Sequence, residues 1–300
     1  MLLVFSANGT AVIKAVEPYL NSHKIPQLFV GSGAKFFADP EHYPWTTPGR
    51  PDYTGEAKAY IDYVNKNFPN AKIGVLYQND DYGKTFLNAF IEELGKDAGK
   101  RIVSTQPYDA TNPSIEAQII NLKNSGATVL LNVSTPKFAI QSIKKISELN
   151  WHPEHFMTLV ASSRDSVFIP AGLENAKGII TAAITKDPTD TQWEKDSAIL
   201  AYKEVMKKYN PSANTGDIFN VLAFVLAEQM VGILQKCGDD LTRENIRKVA
   251  TNWHQSSDLL LPGIEFDITP KDYRLVKKVY LAKFNGKTWE QLGQPIELKK

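Results

Sequence analysis

The chain holds one cysteine, Cys237, among 300 residues. A lone thiol excludes an intrachain disulfide and any cysteine cluster for zinc. Charge of one sign is also missing: Lys plus Arg is 34 against 33 for Asp plus Glu, a formal net charge of +1. So weak a field does not attract a phosphate backbone at long range, and nucleic acid is not an expected partner. The basic doublets at Lys144-Lys145, Lys207-Lys208, Lys277-Lys278 and Lys299-Lys300 are diluted by nearby acids and read as solvated faces. No uninterrupted apolar run approaches the ~18 residues of a bilayer span, and the opening Met-Leu-Leu-Val-Phe-Ser-Ala lacks the basic segment that begins an export signal. Leu2 to Phe5 nevertheless looks like a core strand entered without the usual preliminary loop, which leads us to expect a further segment upstream.

Catalytic signatures are equally scarce. There is no G-x-S-x-G elbow, no Walker loop and no complete G-x-G-x-x-G, of which Gly31-Ser32-Gly33 is only a fragment. His152-Pro-Glu-His155 brings two histidines close, but Pro153 breaks the helix that would align them on a metal. Asp80 and Asp81 are adjacent, so their side chains diverge and do not flank a substrate as acid and base. The chain is therefore expected not to be an enzyme and to carry no cofactor and no metal site.

What is present is a regular α/β grammar. At 43% hydrophobic and 22% charged, the composition is that of a packed globular protein, and its length suits two lobes. The richest stretch is Lys72 to Thr85, K-I-G-V-L-Y-Q-N-D-D-Y-G-K-T, an apolar strand running into a polar, glycine-bearing helix start. In an open parallel sheet the carboxyl ends of strands form the crevice where ligands bind, and the next helix offers unpaired N–H groups. The same stretch also reads as ordinary strand, Asp cap and helix. Strands at Leu2–Phe5, Gln27–Val30, Ile73–Tyr77, Arg101–Pro107, Thr128–Val133, His155–Val160 and Gly178–Ala183 alternate with helical patterns, which predicts parallel sheets with crossover helices. The prolines at 40, 44, 48 and 51 make Ala38 to Tyr53 unsuitable for a regular helix or central strand, and it has the length of a crossing between lobes. A second crossing is expected near Lys186–Asp190 or after the helix Glu194–Tyr209, and Asn285-Gly286 predicts a type I′ hairpin turn.

Lined up, these pieces resemble the type I periplasmic solute-binding proteins of ABC transporters, the family of the leucine, isoleucine and valine receptor. The segments that carry the resemblance are P-Y-L-N at 18–21, P-Q-L-F-V-G-S-G-A at 26–34 and K-I-G-V-L-Y-Q-N-D-D-Y-G-K at 72–84. Further ones are S-G-A-T-V-L-L-N at 125–132, A-G-L-E-N-A-K-G-I-I at 171–180 and C-G-D-D-L-T-R-E-N at 237–245. The resemblance implies two lobes, each a parallel sheet flanked by helices: residues 1–52 with 210–266, and residues 53–209 with 267–300. Set against the family pattern, the first lobe is expected to lack two N-terminal βα units. The sequence would then be a fragment, be completed by another chain, or have a rearranged first lobe, with self-association through an open sheet edge as one consequence.

The resemblance also implies a periplasmic location, an ABC permease as partner and a ligand site at strand ends. Asn8, Gly9 and Thr10 would meet a ligand carboxylate, Ser32, Gly33 and Ala34 would add a hydroxyl and N–H groups, Tyr82 would pack on the solute, and Ser134 or Thr135 would reach the cleft. Gly9 and Gly33 also read as turn glycines and Ser134 as a helix cap. Amino-acid receptors of the family hold the substrate ammonium with an acid after the strand that is here Met157–Val160, whereas this chain has Ala161-Ser162-Ser163-Arg164. An unpaired buried ammonium is costly, so an aromatic or aliphatic carboxylate is the expected ligand, with a branched-chain amino acid less favoured. Arg164 would form a bidentate contact with that carboxylate, or else an outward pair with Asp165 or Glu174, and Tyr53 or Trp45 would add flat apolar area. The alternative function is a ligand-sensing domain of the same fold.

Overall fold

In the computed structural model, which describes residues 1–299, the chain opens with strand β1 (Val4–Phe5), helix α1 (Thr10–Ser22) and strand β2 (Gln27–Val30). The last residue of the expected second lobe, Lys300, lies outside the described residues. Burial of Thr10, Ile13, Glu17 and Leu20 follows helical spacing, so α1 lays one face on the sheet. The proline-rich stretch contains a further strand, β3 (Thr46–Pro48), that sequence reading leaves irregular. It pairs only with β2 and ends at Pro48, an edge placement that tolerates the missing N–H. Strands β1, β2 and β3 make a three-stranded parallel sheet. Phe5 of β1 and Leu2 just before it are exposed, as are Val12 and Tyr19 on α1.

From helix α2 (Tyr53–Asn67) the chain builds a larger sheet. It comprises β4 (Ile73–Gln78), α3 (Asp81–Leu94), α4 (Ala98–Arg101), β5 (Ile102–Tyr108), α5 (Glu116–Asn124), β6 (Val129–Val133), α6 (Pro136–Glu148), β7 (Glu154–Met157), the short helices α7 (Ile169–Ala171) and α8 (Leu173–Ala176), and β8 (Ile180–Ala183). Helices α9 (Ser197–Tyr209), α10 (Ile218–Cys237) and α11 (Arg243–Ala250) follow, and strands β9 (Lys278–Phe284), β10 (Trp289–Gln291) and β11 (Ile296–Glu297) return to the large sheet. Its order is β10-β9-β8-β7-β6-β4-β5, with β11 on β9; β4 to β8 run parallel and β9 is antiparallel to β8. Strand β6 is buried at every position, as a parallel strand covered on both faces should be.

Several boundaries differ from expectation. Helix α3 begins at Asp81, since the Asp80 side chain caps it by accepting from the Gly83 N–H. Strand β7 stops at Met157, and Leu159–Ala161 turns as a 3-10 helix that brings Val160 to the wall of a cavity. The hairpin between β9 and β10 places Gly286, not Asn285, at positive φ (101°), while the Asn285 side chain accepts from the N–H groups of Lys287 and Thr288. Tyr202 of α9 packs edge-on against Phe224 of α10 at 5.3 Å. Helix α10 is long and apolar enough to cross a membrane by length and composition. Here it is a core helix: Val221, Val225 and Ile233 are fully buried and Gln229 accepts from the Trp253 indole at 2.9 Å.

Candidate ligand-binding cleft

The carboxyl ends of β1 and β2 face those of β4 and β6 across a cavity of about 570 Å³. Asn8, Gly9 and Thr10 line it from the loop before α1, Gln78, Asp80 and Tyr82 from the β4–α3 junction, and Thr135 from the start of α6. Gly9 has φ 99°, a conformation open to glycine, and it turns the chain so that α1 starts at the cavity wall. Asp80 faces the cavity with both oxygens engaged, one by the Gly83 N–H at 3.1 Å and the other by Gln78 Nε2 at 2.6 Å. The ordinary capping reading and the cleft-facing reading of this segment thus both describe it. Tyr82 stacks edge-on against Tyr53 (5.3 Å), and its hydroxyl meets Thr158 Oγ1 at 2.7 Å. Burial pushes the phenols of Tyr53 and Tyr82 upward, so they stay neutral donors at the cavity wall.

The remaining sequence-predicted residues lie behind or away from this surface. Ser32 is fully buried beneath Thr10, their hydroxyl oxygens 2.8 Å apart, and also accepts from the Ala34 N–H. Gly33 serves close backbone approach: an added Cβ would lie 1.8 Å from the Pro51 carbonyl oxygen. Ala34 is buried at the start of a 3-10 turn. Of the Gly31–Ala34 stretch, Gly31 is the one that lines the cavity. Ser134 is buried with its hydroxyl unpartnered, one step behind Thr135. Ser162 donates to the Leu159 carbonyl and borders a separate, smaller cavity at the ends of β8 and β9.

Arg164 is a correction. Its guanidinium pairs with Asp165 at 2.8 Å and donates to the Lys287 carbonyl, and it is absent from the cleft lining. Arg164 opens a π-helical turn, Arg164–Phe168, and of the partners expected for it, a ligand carboxylate, Asp165 or Glu174, the structure shows the pair with Asp165. Trp45 likewise packs under Arg247 rather than in the cleft. The two neighbouring histidines part company: His152 bonds Asn150 on the surface, and His155 is buried beside Asn132.

Sequence reasoning missed several lining residues, Arg50 and Phe219 among them. Arg50 lies between β3 and α2 in the segment read as a crossing, and its guanidinium sits over the Phe219 ring at 6.0 Å. Burial lowers its pKa, with Tyr53 and Glu56 as the nearest opposing influences. The available signal was a cation among prolines at a strand end with a single acid, Asp52, close in sequence. Phe219 stands in the first turn of the long apolar helix α10, where an aromatic gives no sign of facing a cleft.

Comparisons with known proteins agree with this geometry. A family model described as periplasmic binding protein matches residues 1–288. Among solved structures, a branched chain amino acid ABC transporter from Thermus thermophilus with bound valine superposes with a TM-score of 0.85 at 15% identity, covering 99% of this chain and 78% of that one. A fatty acid ABC transporter substrate-binding protein from Thermomonospora curvata gives a TM-score of 0.77 at 18% identity, covering 97% and 73%. Among curated proteins, Leu/Ile/Val-binding protein homolog 7 of Brucella abortus is 24% identical over 179 residues, 58% of this chain and 43% of that protein. The chain thus spans less than half the length of the curated relative it matches. With two facing sheets, a cleft at their strand ends and a family match over nearly its whole length, this chain belongs to the periplasmic binding protein family.

Proposed function

We propose that this chain is a solute-binding component of an ABC-type importer, working in the periplasm and closing two lobes over a small carboxylate for delivery to a membrane permease. The observation that carries the reading is the cleft itself. It lies where open parallel sheets bind ligands, and its size suits a small organic molecule. Its lining mixes the hydroxyls of Thr10, Thr135 and Tyr82 with the apolar side chains of Val12, Val160 and Phe219. A carboxylate is favoured over a zwitterion because the segment after β7 brings only Thr158 and Val160 toward the cleft, while the one lining acid, Asp80, already accepts from two donors. Residues 53–209 and 267–299, less α9, form the lobe of the large sheet in this proposal, and the rest forms the other.

The test is a melting screen against aliphatic, aromatic, keto and hydroxy acids, with leucine and valine beside them. A ligand at a hundredfold its dissociation constant adds about 2.7 kcal/mol, enough for a shift of several degrees. Stabilisation by one or more acids is expected, with smaller shifts from the amino acids. A cooperative melt that no solute moves would sink the reading.

A further inference from the structure

We propose that Arg50 is the anion-recognising residue of the cleft, taking the carboxylate of an amphipathic monocarboxylate whose apolar body lies along Phe219, Val12 and Val160. The inference rests on the solute-binding reading and adds to it the residue that selects the ligand. Arg50 lines the cavity, its Nη1 is buried, and that nitrogen has no hydrogen-bond partner. Its contact within the fold is the face of Phe219. Buried guanidinium nitrogens are almost always paired, because leaving such a donor dry forfeits its hydration with nothing in exchange.

The neighbouring acids do not fill the gap. Glu56 directs Oε1 to the Tyr60 hydroxyl at 2.7 Å and the Leu159 N–H at 2.9 Å. Asp80 is committed to the α3 cap and Gln78. Thr10 and Ser32, the hydroxyls expected from sequence to meet a carboxylate, bond each other. Arg50 is therefore the cleft donor with charge and an open valence, and a planar guanidinium matches a carboxylate fork. A ligand ammonium would find no free carboxylate in the cavity lining, because Asp80 is committed and Glu56, whose Oε2 is unpartnered, does not line it, so a deaminated acid should bind more tightly than the amino acid of the same shape.

The experiment compares wild type with Arg50→Met and Arg50→Lys by thermal shift and titration calorimetry. The probes are acetate, 4-methylpentanoate and phenylacetate, with the matching amides and leucine, all at constant ionic strength. In wild type the acids are expected to stabilise more than their amides. Arg50→Met should weaken acid binding by about 10- to 100-fold and leave amide binding nearly unchanged, while Arg50→Lys should retain part of the preference. Without ligand, Arg50→Met should melt no lower than wild type, since it removes a guanidinium nitrogen buried without a partner; a purely structural arginine would give the opposite. Acid binding that survives Arg50→Met, or a wild type that responds to amides or leucine but not to acids, overturns the Arg50 assignment and leaves the solute-binding reading standing. A wild type that responds to no probe in these or the broader screen overturns both.

Discussion

Glu56 illustrates how a single buried side chain couples this fold to pH. It sits on α2, and its carboxylate accepts from the Leu159 N–H and from the Tyr60 hydroxyl, which lies 3.0 Å from the Met157 carbonyl and accepts from the Ala182 N–H. Burial raises its pKa from 4.5 to about 7, and Glu17, buried on α1, is raised to about 8 by the same cause. A carboxyl raised on folding adds stability that is complete below its unfolded pKa and is lost as pH rises through the folded value. His155 has the opposite sign: burial depresses it from 6.5 to about 3, so its contribution holds above 6.5 and is lost as pH falls toward 3. Stability should therefore peak in mildly acidic solution and decline toward pH 8. Glu56→Gln, which keeps an acceptor for both donors, should flatten the decline between pH 5 and 8 by up to about 3 kcal/mol, measured by urea denaturation across pH. An unaltered slope would show that Glu56 does not titrate in that window. At this scale the sequence disclosed residue types but not their company. Tyr82 and Thr10 were placed at the cavity because strand-end position is written in the chain. Arg164 lies off the cavity lining and Arg50 on it because a π-helical turn and a proline-bound segment decide where each guanidinium lies, and neither leaves a periodic trace.

Among the elements, the β4–α3 junction was the most legible, and its geometry explains why. The strand is apolar and β-branched, the cap is an aspartate, and a glycine follows three residues on; each is a local choice pointing to the same structure. The glycine is sterically required, since a Cβ on Gly83 would stand 1.9 Å from the Gln78 carbonyl oxygen. Gly83→Ala should thus destabilise by about 1–3 kcal/mol or more and displace Asp80 from the cleft wall. Gly99→Ala is the matched control: its Cβ would meet nothing within 4 Å, so it should be neutral or stabilise by up to about 1 kcal/mol. Equal effects from the two changes in chemical denaturation would contradict this account. Strand β3 was illegible for the converse reason. It has three residues, ends in proline, and is held by non-local pairing to β2, whose Phe29 adopts a positive φ of 53° with a register shift beside it. Such strain costs on the order of 1–3 kcal/mol and is sustained by surrounding packing, which no local pattern reports.

At the scale of the whole molecule, the two sheets share one continuous core that runs from Ile13 and Leu28 of the small sheet's layer to Val75 and Leu131 of the large one. The alternation of strands and helices made this α/β architecture readable, whereas the way the lobes meet depends on contacts between residues far apart in sequence. One such contact lies on the surface at the cleft mouth: Lys14 of α1 and Asp81 of α3 form an ion pair at 3.0 Å, both about half exposed. It joins helices from opposite sides of the cleft. In the two-lobe arrangement proposed above, crossings such as the one near residues 48–52 would let the lobes close by hinge rotation when ligand contacts favour the closed arrangement. An exposed pair contributes only about 0–1 kcal/mol and is screened by salt, so it biases the lobes without locking them. Lys14→Gln should therefore leave the melting temperature nearly unchanged, increase the radius of gyration of the unliganded protein in small-angle scattering, and weaken ligand affinity by no more than about fivefold. Raising salt should bring wild type to the behaviour of the variant. Scattering curves that coincide at low salt, with or without Lys14, would mean that the lobes are held by their shared core rather than by the pair at the mouth, and that closure must be sought in the crossings alone.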